Sequence, residues 1–369
     1  MLSDLQASGS DSPLGHLTDV SPPKIPHRLR GIPFGDSMGL VRGVKKIEIA
    51  EVRAPYNASI IEKDEGYLLF FRYDLLGKIN VLNIEFPFRT HIGCVELDQT
   101  FEQKKPYVFI DTGSHFSEDP RVLKVGDELF LSYNDLAENP AYSRTIRLAS
   151  LDKENLSINY SLDLDQNIQR IEKNWMPYEV VDKEGESKVF FVYNINPHKI
   201  LKLNSLREQE VTPLLAPNAK SFQKLPWSDK WGILRGGTPA RLIDGQYLAF
   251  FHSCFKDART DRTFYVMGAY TFEAQAPFRI TAMSRFPILF KGIYDTPHCN
   301  SARSNLHSIF PAGFVIEHVD GKDLIHISCG ENDCGVKVVT LDKDILFQTL
   351  QPISEDMSKE EVEFYDGGC

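Results

Sequence analysis

Two acidic residues stand directly before a proline and an arginine at the start of an apolar stretch. Glu118, Asp119, Pro120 and Arg121 precede VLKVGDELFLSYND, in which two alternating apolar runs flank a Gly-Asp turn, the pattern of a β-hairpin. A carboxyl group beside a guanidinium group can form a surface ion pair, or it can be held in place for acid–base catalysis. These four residues alone leave both interpretations open.

The hairpin is one of five copies of the same unit. The copies start at Asn57, Asp119, Met176, Thr238 and Phe310, and each has a small residue or proline in second place before its first apolar run. The second-place residues are 62, 57, 62 and 72 positions apart. A period near 60 suits one four-stranded antiparallel sheet per repeat, and such sheets bury both faces by packing around an axis.

The repeat predicts an all-β fold, a five-bladed β-propeller over residues 46–350. Residues 1–45 are predicted to form an irregular extended arm, because they are rich in Pro, Gly and Ser, and residues 351–369 a short acidic tail. A long β-sandwich is the alternative, but it does not predict a hairpin that recurs five times.

Composition restricts the class of protein. The chain has 369 residues, a net charge of −10 and a hydrophobic share of 42%. The acidity argues against nucleic acid or an anionic membrane as the main partner, and no apolar run approaches the roughly 20 residues of a membrane span. The six cysteines show no framework spacing, and Cys329 and Cys334 lack the further ligands of a zinc site. We therefore expect a reduced, cytoplasmic protein without a metal or cofactor, and leave a homo-oligomer open.

A propeller would bring matching positions of the repeats together at one central funnel. Of the five residues that open the repeats, only Asp119 is a carboxylate, which favours a site over fold maintenance. Polar residues also follow the second apolar runs, namely Arg72, Asp74, Asn134, Asp135, Asn194, His252, Glu331, Asn332 and Asp333.

Four motifs together resemble a known enzyme family. They are EDPR at 118–121, KNW at 173–175, RGGTPARLIDGQYLAFFH at 235–252 and FPAGFVIE at 310–317. Their order and spacing are similar to glycoside hydrolase family 130, the inverting β-mannoside phosphorylases and mannosidases, which are five-bladed propellers. The related glycosyltransferase family 108, β-1,2-mannosyltransferases that also act as phosphorylases, matches about as well.

The resemblance implies roles for individual residues. Asp119 matches the catalytic acid, and Arg235 and His252 match a phosphate site, with Arg72 and Arg89 as candidates for a second anion contact. Trp175 and Tyr178 could stack on a sugar or only pack. The candidate substrate-binding residues are Asn57, Glu118, Arg121, Asn174, Tyr178, Glu179, Asn194, Glu331 and Asp333. Glu118 would raise the pKa of Asp119 and Arg121 would lower it, so the sequence leaves the balance open.

The third repeat departs from the family pattern. Where the phosphorylases usually have an arginine, this chain has Tyr193 and Asn194, with His198 and Lys199 a few residues on. This difference favours a sugar phosphate or nucleotide sugar over a simple inorganic-phosphate pocket.

The sequence is therefore compatible with three functions. The first is an inverting mannosyl-transfer enzyme acting on a β-mannoside or sugar acceptor, with phosphate, mannose 1-phosphate or GDP-mannose as the phosphate-bearing partner. The second is a β-mannoside hydrolase, which needs a second carboxylate about 6.5–9.5 Å from the acid, with Glu179 as the candidate. The third is a non-catalytic carbohydrate-binding propeller. A propeller glycosidase acting on arabinans or fructans would need three carboxylates, and the repeats supply one clear acid.

Overall fold

The computed structural model describes residues 25–81, 84–136, 143–164, 171–204, 211–214, 224–299 and 303–353. The first 24 residues of the predicted arm, and the predicted tail from residue 354 onward, lie outside these ranges. The strands are β1 (Val41–Ile47), β2 (Tyr56–Lys63), β3 (Gly66–Val81), β4 (Ile84–Asp98), β5 (Val108–Ile110), β6 (Glu118–Val125), β7 (Glu128–Leu136), β8 (Arg144–Leu151), β9 (Ile158–Asp163), β10 (Met176–Val181), β11 (Ser187–Asn194), β12 (Lys199–Leu203), β13 (Val211–Leu214), β14 (Leu234–Gly236), β15 (Arg241–Ile243), β16 (Gln246–Asp257), β17 (Arg262–Glu273), β18 (Ile280–Ser284), β19 (Leu306–His307), β20 (Ile309–Val319), β21 (Lys322–Glu331), β22 (Gly335–Asp342) and β23 (Leu350–Pro352). The helices are α1 (Lys343–Thr349) and two single 3-10 turns, His27–Leu29 and Asp229–Trp231.

Four of the sheets are four-stranded and antiparallel. The first three take consecutive strands, β2 to β5, β6 to β9 and β10 to β13, whereas the fifth contains β20, β21 and β22 with β1 at its edge. The edge of β22 would otherwise be left with unpaired backbone groups, so β1 completes the sheet of the last repeat. The predicted domain boundary at 45/46 falls inside β1, and the boundary at 350/351 falls inside β23.

The fourth repeat forms a seven-stranded sheet instead. Its first strand is split into β14 and β15, which both pair with β16, and β18, β19 and β23 extend the sheet beyond β17. The split occurs because Pro239 has no N–H and the Ala240 N–H turns to the Pro177 carbonyl of the third sheet, at 3.2 Å. The predicted all-β, propeller-like fold is confirmed, but the prediction of a four-stranded sheet is wrong for this repeat.

The apolar core shows that the sheets pack in a cycle. Separate clusters of buried side chains join the fifth sheet to the first, the first to the second and the second to the third. A larger cluster joins the third, fourth and fifth sheets, with Tyr178, Phe250 and Phe314 as members. Each sheet therefore buries its faces against two neighbours, as the internal repeat predicted.

Equivalent first strands are broken at the same point. The pairing register shifts between Tyr56 and Ser59 in β2 and between Glu118 and Arg121 in β6. Within these bulges Asn57 and Asp119 have positive φ angles of 47° and 53°. A bulge re-aims the side chains that it carries, and here it turns Asn57 and Asp119 towards each other.

Two of the cysteines are not reduced. Cys299 and Cys334 form a disulfide, because the turn after β21 brings Cys334 beside residues 296–299. The expectation of a fully reduced chain is therefore wrong for this pair, while Cys94, Cys254 and Cys329 are buried and form no disulfide within the described ranges. No helix in the described ranges is long and apolar enough to cross a membrane.

Candidate active site

Asp119 is buried and its carboxylate is fixed by two donors. Asn57 Nδ2 donates to Asp119 Oδ1 at 2.8 Å, and Arg72 Nη1 donates to the same oxygen at 3.3 Å. Arg121 reaches only the main-chain carbonyl of Asp119, at 3.2 Å. The alternative of a surface ion pair between Asp119 and Arg121 is therefore wrong.

Glu118 forms ion pairs with three neighbouring cations. Its carboxylate contacts Arg72 at 3.1 Å, Arg144 at 2.7 Å and Lys173 at 2.8 Å. Burial raises the pKa of Glu118, but Arg72, Lys173 and Arg144 outweigh burial and leave the pKa below its usual range. The predicted role of Glu118 in binding substrate is not supported, because its oxygens are already paired with these cations.

Asp119 is ionised in the free protein. Burial raises the pKa of Asp119, while Arg72, Lys173 and Arg121 and the hydrogen bond from Asn57 lower it well below its ordinary value. The arginines and the lysine therefore decide the balance that the sequence left open.

Arg121 contacts residues from three other repeats. Its Nε donates to the Gly237 carbonyl at 2.6 Å, its Nη2 donates to Asn174 Oδ1 at 3.4 Å, and its guanidinium lies 5.8 Å from the centre of the Phe310 ring. Burial lowers the pKa of Arg121 to about 10, so it remains a cation at neutral pH. Its contacts are with protein groups from the second to the fifth repeat, which gives it and Asn174 a positioning role.

Arg235 and His252 lie directly opposite each other in the pairing of β14 with β16. Opposite residues of an antiparallel pair project from the same face, so the two side chains share one surface. Burial, Arg235 and Arg121 lower the pKa of His252 to about 3, so the imidazole is neutral. Within the described ranges, His252 Nδ1 is buried without a hydrogen-bond partner, and the Arg235 guanidinium makes no ion pair.

Asp333 joins the same group from the fifth sheet. It contacts Arg303 at 2.8 Å, and Arg303 also lies 3.9 Å from Asp74. Burial raises the pKa of Asp333 against the lowering effect of Arg303 and Arg72, and the charge of Asp119 raises it further. Asp333 thus shares the electrostatic surroundings of Asp119.

We call these side chains the charged cluster. Its cations are Arg72, Arg121, Arg144, Lys173, Arg235 and Arg303, and its carboxylates are Asp74, Glu118, Asp119 and Asp333. The sequence reasoning missed Arg144, Lys173 and Arg303 as site residues. Lys173 stands in the KNW motif and could have been found there, whereas Arg144 and Arg303 carry no signal of their own in the sequence.

Three predicted site residues are structural instead. Tyr178 and Trp175 are fully buried between sheets, where edge-on aromatic contacts surround them, so neither ring offers a face to a sugar. Glu331 has no exposed surface and accepts the Tyr294 and Thr296 N–H groups at 2.6 and 3.0 Å. These contacts hold the loop after β18 and leave Glu331 unable to bind a substrate.

Glu179 lies at the wrong end of the blade for a catalytic base. Its carboxylate accepts the N–H of Gly126, in the turn after β6, at 2.7 Å. Asp119 is at the start of β6, seven residues earlier, and a strand rises about 3.3 Å per residue. The two carboxylates are therefore separated by roughly 20 Å, and Glu179 as the second carboxylate is wrong.

Two further candidates point away from the charged cluster. Arg72 donates to Thr90 Oγ1 at 2.9 Å, so Arg89, the residue of β4 before Thr90, projects from the opposite face of the hairpin. Asn194 donates to the Asn196 carbonyl at 3.1 Å in a local turn. The nearby His198 is buried against the Phe278 carbonyl at 2.7 Å, so the third repeat contributes its cation through Lys173 instead.

Similar solved structures bear on the fold. A structure described as belonging to the GH130 family of mannoside phosphorylases, which contains hydrolases that target β-1,2 mannosidic linkages in Candida mannan, aligns at a TM-score of 0.57 and 13% identity, covering 79% of this chain and 85% of that one. MPT-4, a mannose phosphorylase of Leishmania mexicana in complex with a phosphate ion, aligns at 0.56 and 15%, covering 87% and 94%. The β-1,2-mannobiose phosphorylase of Listeria innocua aligns at 0.53 and 16%, covering 84% and 92%.

Sequence comparison reaches less of the chain. A β-mannosyltransferase 2 of Komagataella phaffii is 30% identical over 90 residues, which is 23% of this chain and 14% of that protein. No family model matches the chain. The resemblance read from the four motifs is confirmed: this chain has the fold of the family 130 mannoside phosphorylases.

Proposed function

We propose that the protein is an inverting β-mannosyl-transfer enzyme, active on β-mannosides and on a phosphate-bearing partner, with Asp119 as its acid/base. In this proposal the seven-stranded sheet is the fourth of five blades around the charged cluster. The similar phosphorylase structures support a glycoside-active enzyme, and the match to a β-mannosyltransferase supports the transfer reaction.

The observation that carries the proposal is the pairing of Arg235 and His252 beside Asp119. Within the described ranges His252 Nδ1 has no hydrogen-bond partner and Arg235 makes no ion pair, whereas the other cations of the cluster are engaged by carboxylates or carbonyls, namely Arg72, Arg121, Arg144, Lys173 and Arg303. The charged cluster has two more cations than carboxylates in a chain of net charge −10. A phosphate group would neutralise this excess, and arginine is the side chain best suited to bind it.

The ionised state of Asp119 suits the synthetic direction. There the acceptor hydroxyl oxygen attacks the anomeric carbon, its proton passes to the Asp119 carboxylate, and the phosphate leaves towards Arg235 and His252. In phosphorolysis a phosphate oxygen attacks the same carbon, and Asp119 must donate a proton to the departing glycosidic oxygen. A phosphate dianion bound next to Arg235 would raise the pKa of Asp119 towards that role.

The donor in this proposal is mannose 1-phosphate or GDP-mannose, and side chains hold its phosphate without a metal or other cofactor. The proposed location is the cytoplasm, and the Cys299–Cys334 disulfide is the observation that weighs against it.

A hydrolase remains the second candidate because of Asp333. With Glu179 excluded, Asp333 is the carboxyl group of the charged cluster whose pKa is raised while that of Asp119 is lowered, and the charge of Asp119 contributes to the raised pKa of Asp333. Two carboxyl groups with diverging pKa values are the pattern of an acid–base pair.

A donor screen tests the proposal. The purified protein is incubated with mannose 1-phosphate or GDP-mannose and simple sugar acceptors, and with β-1,2-mannobiose in the presence and absence of phosphate. We expect product that depends on the phosphate-bearing partner, loss of most of the rate in D119N, and weaker use of that partner in R235Q. Arg241, an arginine of the same repeat that pairs with Glu62 on the surface, provides the matched control R241Q, which should behave as wild type.

Three results would contradict the proposal. Release of free mannose without phosphate would establish the hydrolase. An unchanged rate in D119N would remove the acid/base assignment. Failure of both donors and of β-1,2-mannobiose, with sugar binding intact, would favour a non-catalytic binding propeller.

A further inference from the structure

A second group of basic side chains lies at the start of β17 and beside β19. Arg262 opens β17, His298 is in the loop before β19, and His307 ends β19. The two imidazole rings are 5.1 Å apart in an edge-on arrangement, and the His307 ring stacks on Phe264 at 5.0 Å. None of these residues takes part in the mechanism proposed above.

The ring nitrogens of both imidazoles are buried without hydrogen-bond partners. His307 is only 3% exposed, and both of its ring nitrogens, like both of those of His298, are buried and unpartnered within the described ranges. A buried polar atom without a partner costs free energy that folding has to offset. Four such atoms in one place point to a ligand that supplies the missing contacts.

The electrostatic surroundings select an anion. Burial, His298 and Arg262 lower the pKa of His307 to about 4, and burial and Arg262 lower the pKa of His298, with no carboxylate among the groups that act on either ring. Each neutral imidazole can donate one hydrogen bond, and Arg262 adds a permanent cation that makes no ion pair within the described ranges.

A metal ion fits this group poorly. The guanidinium would repel a cation, and the described part of the chain contains no cluster of three His, Cys, Asp or Glu side chains that could hold one. Phosphate, in contrast, is bound by forked guanidinium and ring N–H donors.

This group is separate from the Arg235–His252 pair. Tyr265 stacks near His252, and neighbouring residues of a strand point to opposite faces, so Arg262 and Phe264 face away from that pair. His307 also stands three residues before Phe310, which contacts the His252 ring, a distance of roughly 10 Å along the strand direction.

We propose that Arg262, His298 and His307 form a second phosphate-binding subsite. Its ligand is a phosphate dianion, either free or carried by a sugar. The subsite is additional to the proposed function and does not depend on it, because it shares no residue with the charged cluster.

Phosphate titration of the full chain tests the subsite. Inorganic phosphate is titrated by calorimetry and by NMR of the ¹⁵N-labelled imidazoles, using wild type, R262Q, R235Q and H307Q. We expect two sites in wild type, loss of one in R235Q, and at least tenfold weaker binding at the other in R262Q and H307Q. Arg259, exposed three residues before Arg262, provides the control R259Q, which should keep both sites.

The outcomes separate the alternatives. If mannose 6-phosphate binds at least tenfold more tightly than inorganic phosphate, and R262Q loses this gain in affinity, the ligand is a sugar phosphate. If the two affinities are equal, the ligand is free phosphate. Unchanged stoichiometry and affinity in R262Q would overturn the subsite, and this variant decides the question if H307Q does not fold. The subsite would also be overturned if Zn²⁺ shifts the His298 and His307 resonances and phosphate does not. If wild type binds a single phosphate, and R262Q abolishes this binding while R235Q does not, the subsite is supported and only the proposed function is contradicted.

Discussion

Replacing Arg72 with methionine should destabilise the protein by about 3 kcal/mol at pH 7. The Arg72 guanidinium contacts Glu118 at 3.1 Å, Asp119 at 3.3 Å and Asp74 at 3.6 Å. Removing one partner of a buried ion pair typically costs about 3–5 kcal/mol. Glu118 keeps Arg144 and Lys173 and Asp119 keeps Asn57, so the lower end of that range applies.

The loss should also depend on pH. In wild type the pKa of Asp119 lies below its unfolded value of about 3.9, so its ionisation stabilises the folded state above pH 4, and this contribution disappears as the pH falls through the folded pKa. In R72M the burial remains while the main cation is gone, so we expect the pKa of Asp119 to rise above the unfolded value. Its ionisation then opposes folding as the pH rises. The difference between R72M and wild type should therefore be larger at pH 7 than at pH 4.5.

Guanidinium unfolding, followed by the fluorescence of the tryptophans, measures this difference at both pH values. The matched control is R235M, which removes an arginine of the same cluster that pairs with no carboxylate in the described ranges and should change the stability by less than about 1 kcal/mol. Adding D119N to R72M should recover part of the loss, because the unpaired charge is removed. Equal losses of stability in R72M and R235M, or a loss in R72M that is the same at both pH values, would contradict the assigned role of Arg72.

Three other substitutions have distinct expected outcomes. D119N should lower kcat/KM by at least about 100-fold in the donor screen while thermal melting shows an intact fold; a smaller drop would assign the acid/base role elsewhere. Gly330→Ala would place a Cβ 2.1 Å from Asn57 Oδ1, so we expect a lower Tm and slower turnover, whereas Gly43→Ala, which meets nothing within 4 Å, should change neither. Glu331→Gln should lower the free energy of unfolding by about 3 kcal/mol without changing KM, because the buried Lys337 loses one of its two carboxylate partners and keeps only Asp295; a raised KM with full stability would restore Glu331 to the site.

Part of the site could be predicted because it depends on position within a repeat. Asp119 was singled out as the one acidic opening residue, and Arg235 and His252 were assigned to a phosphate site by the resemblance of their motif to family 130. The structure places both groups in one electrostatic environment, in which Asp119 acts on the pKa of His252. The catalytic and phosphate-binding roles themselves remain predictions.

The errors share a physical cause. Tyr178 and Glu179 follow the third-repeat motif closely, but the direction of a strand side chain alternates along the chain, and its depth depends on the neighbouring sheet. Glu331 and Asp333 are two residues apart, yet the turn after β21 buries the first against a loop and directs the second to Arg303. Sequence proximity cannot distinguish these environments.

The repeating hairpin, the all-β class and the unusual position of Asp119 could all be predicted from the amino-acid sequence, because strand alternation and turn chemistry are local properties of the chain. Tertiary structure alone decided which cations surround that carboxylate. Arg72, Arg121 and Lys173 come from three different repeats, and their joint effect on the pKa of Asp119 exists only once cyclic packing buries them together. The split first strand of the fourth repeat and the Cys299–Cys334 disulfide likewise depend on contacts between segments distant in sequence.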